Sequence, residues 1–125
     1  MARILLVDDE EPVRGFLKRG LVLDGHTVAT AIDGGDGLDR LAERDDCFDL
    51  LLTDIRMPMM DGIALAHAAK REYPDLVILL MTGFADQRER AADLRDVVTD
   101  VLTKPFSLAE VRAAVARALL LPITD

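Results

Sequence analysis

Five short apolar runs punctuate the chain, and longer stretches of mixed polarity separate them. Residues 3–7 (RILLV), 27–31 (TVATA), 48–53 (FDLLLT), 77–81 (VILLM) and 100–103 (DVLT) read as strands. Runs such as ILLV and VILLM do not alternate with polar residues, as expected when both faces of a strand are covered. Between the runs, apolar residues recur at helical spacing. Pro12 stands at a first helical position, Val13, Phe16, Leu17 and Leu21 share one face, and Gly25 closes the segment. A second helix is predicted over about 37–43, with Leu38, Leu41 and Ala42 inward. A third follows Asp61-Gly62 and ends before Pro74. The last opens at SLAE, where Ser107 and Glu110 form a capping box, and buries Leu108, Val111, Val115 and Leu119. Residues 86–94 (DQRERAADL) form a further helix, with Asp86 as cap and Glu89 reaching back. Its inner face offers mainly Ala91, Ala92 and Leu94. At about 25 cal/mol per Å² of apolar area, that makes it the most weakly docked element.

Five strand–helix units in this order imply right-handed crossovers and a parallel sheet covered by helices on both faces. The expected fold is α/β: one doubly wound (βα)5 domain. A length of 125 residues suits a single core, and an apolar fraction of 50% argues against disorder. The net charge of −8 argues against a broad electrostatic grip on nucleic acid, without excluding a small positive patch. No apolar segment approaches the roughly 20 residues that span a bilayer, and MARILLVDDE is too short and too soon acidic for a signal peptide. The lone Cys47 fits a reducing, cytoplasmic setting as a buried or inert thiol. Pro122 is expected to end the last helix, leaving a domain over 1–121, a tail over 122–125 and no second domain.

The stretch FDLLLTDIRMPMMDG runs its most hydrophobic triplet straight into Asp54. A polar turn after a strand accounts for many such cases. In a doubly wound sheet, however, ligands bind beyond the carboxyl ends of the strands, where the strand order reverses. Those ends carry Asp8-Asp9, Asp54, Thr82 and Lys104-Pro105. With the flavodoxin-like order 2-1-3-4-5, all of them converge on one rim. Two carboxylates about 4 Å apart repel by roughly 4 kcal/mol at an effective dielectric near 20, so the cluster must protonate, pair or hold a cation. Oxygen ligands alone select a hard ion, Mg²⁺ or Mn²⁺. A metal, a carboxylate nucleophile, a hydroxyl and an ammonium are the parts of phosphoryl transfer, and the nucleophile would form an acyl phosphate.

LLVDDE, DLLLTDIRMPMMDG, ILLMTG and VLTKPF, in this order and spacing, resemble the receiver domain of bacterial two-component response regulators, over essentially the whole chain. The resemblance implies that Asp54 accepts the phosphoryl group from a histidine kinase or histidine phosphotransferase. It implies that Asp9 binds Mg²⁺ directly, that Asp8 acts largely through water, and that the backbone carbonyl of Arg56 is the third protein ligand. Thr82 and Lys104 would each bind a phosphoryl oxygen, and the Lys104-Pro105 bond is expected to be cis, aiming the ammonium across the site. Receivers usually carry Tyr or Phe three residues before the lysine, where this chain has Val101. Phe84 is a candidate substitute for that switch, against the plainer role of a packed loop aromatic.

DGHTVATAIDGG, LLTDIRMPMMDGIALA and LLMTGFADQRERA further resemble single-domain receivers that act as adaptors of the ClpXP protease in bacterial cell-cycle control. This implies an adaptor that engages ClpX when unphosphorylated, as a monomer or weak dimer. The candidate output surface is residues 86–94, the fifth strand and the last helix, whose weak docking would let phosphorylation shift it. A phosphotransfer shuttle between histidine proteins is the alternative. A hydrolase or nucleotide-binding enzyme lacks support: there is no Gly-x-Gly-x-x-Gly or Walker loop, and Arg56 stands where aspartyl phosphatases carry a second aspartate. Only slow self-directed phosphoryl chemistry is expected, without turnover of an external substrate. His26 and His67 read as loop or surface residues, and Met57, Met59 and Met60 as loop packing rather than a recognition patch.

Overall fold

The computed structural model describes residues 2–43, 47–83, 94 and 96–124. Strands β1 (Arg3–Val7), β2 (Thr27–Ala31), β3 (Leu50–Asp54), β4 (Val77–Thr82) and β5 (Asp100–Thr103) form one parallel sheet in the order β2-β1-β3-β4-β5. The described helices are α1 (Glu11–Leu23), α2 (Gly34–Leu41), α3 (Gly62–Glu72) and α4 (Leu108–Thr124). The helix expected over 86–94 lies outside the described residues except for Leu94, which is buried.

Two cores explain the unbroken apolar runs. Along a strand, successive side chains point to opposite faces. Leu5, Val7, Leu51, Ile78 and Leu80 pack on one face with Leu41, Leu65, Ala66 and Ala69 of α2 and α3. Ile4, Leu6, Leu50, Leu52, Leu79 and Met81 pack on the other with Leu17 and Leu21 of α1 and Val111 and Val115 of α4. Neither face is left to water, so neither needs polar residues.

Several boundaries differ from the sequence reading. β3 begins at Leu50 and includes Asp54, because the ladder to β4 continues through the pair Asp54 and Met81. β4 likewise runs on to Thr82. α2 starts three residues earlier than expected: the Asp33 side chain caps it by accepting from the Asp36 N–H at 2.8 Å. Three early glycines hide this start from propensity arguments. Gly37 earns its place sterically, since a Cβ there would lie 3.2 Å from Val7. Ala42, expected inward, is exposed as the C-cap residue. Phe16, also expected inward, is 44% exposed, while Leu17, Gly20 and Leu21 take the buried face of α1. The close approach of Leu108 to Gly20 shows how tightly α1 and α4 meet there. α4 continues to Thr124, past Pro122; the fixed φ of proline suits a helix, and the cost is the N–H that residue 122 cannot donate to the Ala118 carbonyl. The Ser107–Glu110 capping box forms reciprocally, with both bonds at 3.0 Å.

Candidate functional site

The register of the ladders carries the ends of β1, β3, β4 and β5 to one rim. Val7 pairs with Thr53, Asp54 with Met81, and Thr82 with Thr103. Asp8 follows β1 directly, and its N–H continues the ladder to the Ala31 carbonyl at 3.2 Å. Its side chain is therefore carried into the interior and is 0% exposed. One carboxylate oxygen accepts the Glu10 N–H at 2.8 Å, whereas Oδ2 is buried with no hydrogen-bond partner. The guanidinium of Arg14 on α1 donates to the Asp8 carbonyl at 2.7 Å and fixes the turn. Burial, reinforced by the nearby charges of Asp54 and Asp9, pushes the Asp8 carboxyl up to about 6 against the opposing Glu10 N–H and Lys104.

Asp54 ends β3 at 4% exposure. The chain after it turns back tightly: Ile55 N–H donates to Met81 at 3.0 Å, and Gly62 N–H donates to Ile55 at 2.8 Å. A Cβ at Gly62 would stand 2.1 Å from the Asp54 carbonyl oxygen, so only glycine fits that approach. Lys104 Nζ lies 3.5 Å from Asp54 Oδ2. Burial still raises the Asp54 carboxyl above its ordinary range, although Lys104 opposes it. The Lys104-Pro105 peptide is cis, as expected, and the Lys104 N–H donates to the Thr82 carbonyl at 2.7 Å. Thr82 is fully buried at the end of β4.

Carboxylate oxygens of Asp8, Asp9, Glu10 and Asp54 all lie within 4.8 Å of one another. Three of these were expected; Glu10 was not. Its signal was present, as a third consecutive acid after the first strand, and its backbone N–H donates to the Asp8 carboxylate. Asp9, Glu10, Asp54, Arg56 and Lys104 line a cavity of about 510 Å³ together with Met57, Pro58 and Gly83. The donor set is all oxygen, and the buried Asp8 Oδ2 has no hydrogen-bond partner. Both properties fit a hard divalent cation such as Mg²⁺.

The remaining residues singled out by sequence fall as follows. Arg56 is exposed beside the cavity. Val101 sits half-buried in β5 opposite Leu80 and packs against the core of α2 and α3, while Pro105 is exposed. Phe84 lies outside the described residues. Met57 is buried and Met60 packs on the core and against Gly34, but Met59 is fully exposed with a φ of 69°. Loop packing thus covers two of the three methionines. No helix among the described residues is long and apolar enough to cross a membrane.

The sequence pattern of the response regulator receiver domain matches residues 4–116. Response regulator MprA of Mycobacterium avium is 41% identical over 118 residues, which cover 94% of this chain and 50% of MprA. MprA of Mycobacterium tuberculosis matches to the same extent. The chain thus spans about half the length of these relatives. Among solved structures, a response regulator receiver domain protein from Clostridium thermocellum superposes with a TM-score of 0.86 at 27% identity, covering 95% of this chain and 94% of that one. Response regulator TrrA from Thermotoga maritima, solved in complex with Mg²⁺-BeF, gives a TM-score of 0.84 at 29% identity, with 94% and 99% covered. The strand order, the acidic rim with its lysine and the match over residues 4–116 agree: this chain belongs to the response regulator receiver domain family.

Proposed function

We propose that Asp54 is the phospho-acceptor of a two-component switch. The observation that carries this reading is the placement of a buried carboxylate between three further acids and the Lys104 ammonium, 3.5 Å away. The Asp54 carboxylate attacks phosphorus in line; the P–O bond forms as the donor's P–N bond breaks, and the leaving imidazole keeps the electron pair and takes up a proton. Lys104 offsets the charge on the phosphoryl oxygens, and the Thr82 hydroxyl donates to one of them. Asp8, Asp9, Asp54 and the Arg56 carbonyl would hold Mg²⁺, with Glu10 beside them. A bound Mg²⁺ supplies positive charge against the phosphoryl oxygens. The Mg²⁺-BeF complex of TrrA supports this assignment. The chemistry is self-directed, and no external substrate is turned over.

The output we propose is that of an adaptor resembling CpdR, in which the unphosphorylated form engages ClpX and primes ClpXP. Its support is the local wording of DGHTVATAIDGG and LLTDIRMPMMDGIALA. With Val101 in place of the usual aromatic, the switch runs through Thr82 and the loop that follows β4. Acetyl phosphate with Mg²⁺ should label the wild type with one phosphoryl group, and Asp54→Asn should abolish it. Absence of labelling removes the phospho-acceptor reading. Pull-down with the ClpX amino-terminal domain should succeed without beryllofluoride and weaken with it; equal capture in both states removes the switched adaptor. Fast reversible exchange with a histidine phosphotransferase and no stable output complex would favour a shuttle instead.

A further inference from the structure

A second cavity, of about 1120 Å³, lies at the other end of the sheet from Asp54. Its position follows from the residues that line it: Ala2, Asp49 and Leu76 immediately precede β1, β3 and β4. Leu41, Phe48, Leu76, Val77 and Leu119 make its walls apolar. Two large side chains at this cavity remain open to solvent, Tyr73 and the 55% exposed Leu120. A continuous apolar hollow with exposed aromatic and aliphatic side chains is the surface that a partner covers.

The charge of the lining states what kind of partner. Among the described residues that line it, Asp24, Asp49, Glu72 and Asp75 are acidic and none is Lys or Arg. Three nearby cations are engaged within the fold. Arg112 donates from Nε to Asp24 at 2.8 Å, Lys70 donates to the Leu76 carbonyl at 2.8 Å, and Arg3 stands over the Phe48 ring at 5.8 Å. Asp24 is thereby neutralised, which leaves Asp49, Glu72 and Asp75 to set the local potential. The Asp49 carboxylate accepts the Arg3 N–H at 2.8 Å.

We propose that this cavity is a docking site for a basic, apolar peptide segment of a partner protein, whose aliphatic or aromatic side chains enter the hollow while Lys or Arg side chains meet Asp49, Glu72 and Asp75. The site shares no residue with the cavity beside Asp54. Docking there competes for no side chain of the phosphorylation site, and the proposed face is constitutive. This goes beyond the phospho-acceptor reading and does not depend on it.

A fluorescein-labelled peptide of about twelve residues, built from Leu and Lys, tests the proposal by anisotropy with the full chain at physiological salt. The same peptide with Glu in place of Lys is the control. The basic peptide should bind and the acidic one should not. Glu72→Lys with Asp75→Lys should weaken binding about tenfold or more, and Leu120→Ser several-fold. Asp39→Lys with Asp96→Lys, an equal change of charge at exposed sites that do not line the cavity, should leave it nearly unchanged. Mg²⁺ with beryllofluoride should not alter the affinity. Equal weakening by the two charge-reversed pairs would reduce the effect to attraction by an acidic chain and overturn the proposal. So would failure of both peptides to bind. A wild-type dimer that Glu72→Lys with Asp75→Lys dissociates in sedimentation would assign the cavity to a second copy and equally overturn it.

Discussion

The ammonium of Lys104 stands 3.5 Å from Oδ2 of Asp54, although fifty residues of chain separate them. Two neighbouring parallel ladders, β3 to β4 and β4 to β5, place them together. Lys104→Met should move the Asp54 carboxyl further up, because burial then acts without its main opponent. Carboxyl NMR titration of the metal-free protein reads this directly. Loss of a positioned cation should also slow phosphoryl uptake from acetyl phosphate by roughly 100-fold. An unchanged Asp54 titration would show that the pair does not persist in solution.

Asp8 should make the metal-free protein less stable at neutral pH. Its carboxyl titrates near 3.8 in an unfolded chain and at about 6 in the fold. Between those values the fold retains a proton that the unfolded chain has released. The resulting stabilisation is complete below pH 3.8 and is lost as the pH rises through 6. A difference of that size corresponds to on the order of 3 kcal/mol. Asp8→Asn should therefore stabilise the metal-free protein at pH 7.5 and not at pH 3.5, as read from urea unfolding. Parallel stability curves for the two proteins would contradict this.

Millimolar Mg²⁺ should raise the melting temperature of the wild type at pH 7.5. The gain should shrink below pH 6, where Asp8 takes up its proton, and should be largely absent in Asp8→Asn. Differential scanning calorimetry at two pH values decides it. An equal gain at pH 5 and pH 7.5 would place the ion elsewhere.

Two glycines should respond oppositely to alanine. At Gly62 the added Cβ meets the Asp54 carbonyl oxygen at 2.1 Å, a backbone atom that cannot move without dragging β3. Gly62→Ala should cost about 3 kcal/mol or more. At Gly15, within α1, a Cβ meets nothing within 4 Å. Gly15→Ala should gain roughly 0.5–1 kcal/mol from lower backbone entropy in the unfolded chain. A loss below about 1 kcal/mol at Gly62 would mean that the turn relaxes freely.

Asp24 and Arg112 tie the end of α1 to α4 through a two-pronged ion pair. The Arg112 hydrogen bond holds the Asp24 carboxyl below its ordinary range. Its contribution is present above the unfolded value of 3.8 and is lost as the pH falls through the folded value. Arg112→Gln should lower the melting temperature by a few degrees at pH 7 and by progressively less under strong acid. A constant difference at all pH values would assign the loss to packing instead.

Sequence by itself determined the alternation of elements and the sheet that follows from it. Apolar runs without polar interruption require two covered faces, and that requirement is local enough to read from ILLV or VILLM. It also determined Asp8, Asp9, Asp54, Thr82 and Lys104 as candidates, since each lies within two residues after such a run. Tertiary structure decided what no single segment encodes. Glu10 joins the acidic cluster with its N–H bonded to Asp8, and Asp8 Oδ2 is buried without a hydrogen-bond partner in the assembled fold. The start of α2 is set by the Asp33 cap and by the packing of Gly37 against Val7, against its own weak helical propensity. The hollow lined by Phe48, Tyr73 and Leu120 is assembled from segments distant in the chain. Periodicity records what each segment must hide; which charges then face one another depends on the register of strands that the segments do not contain.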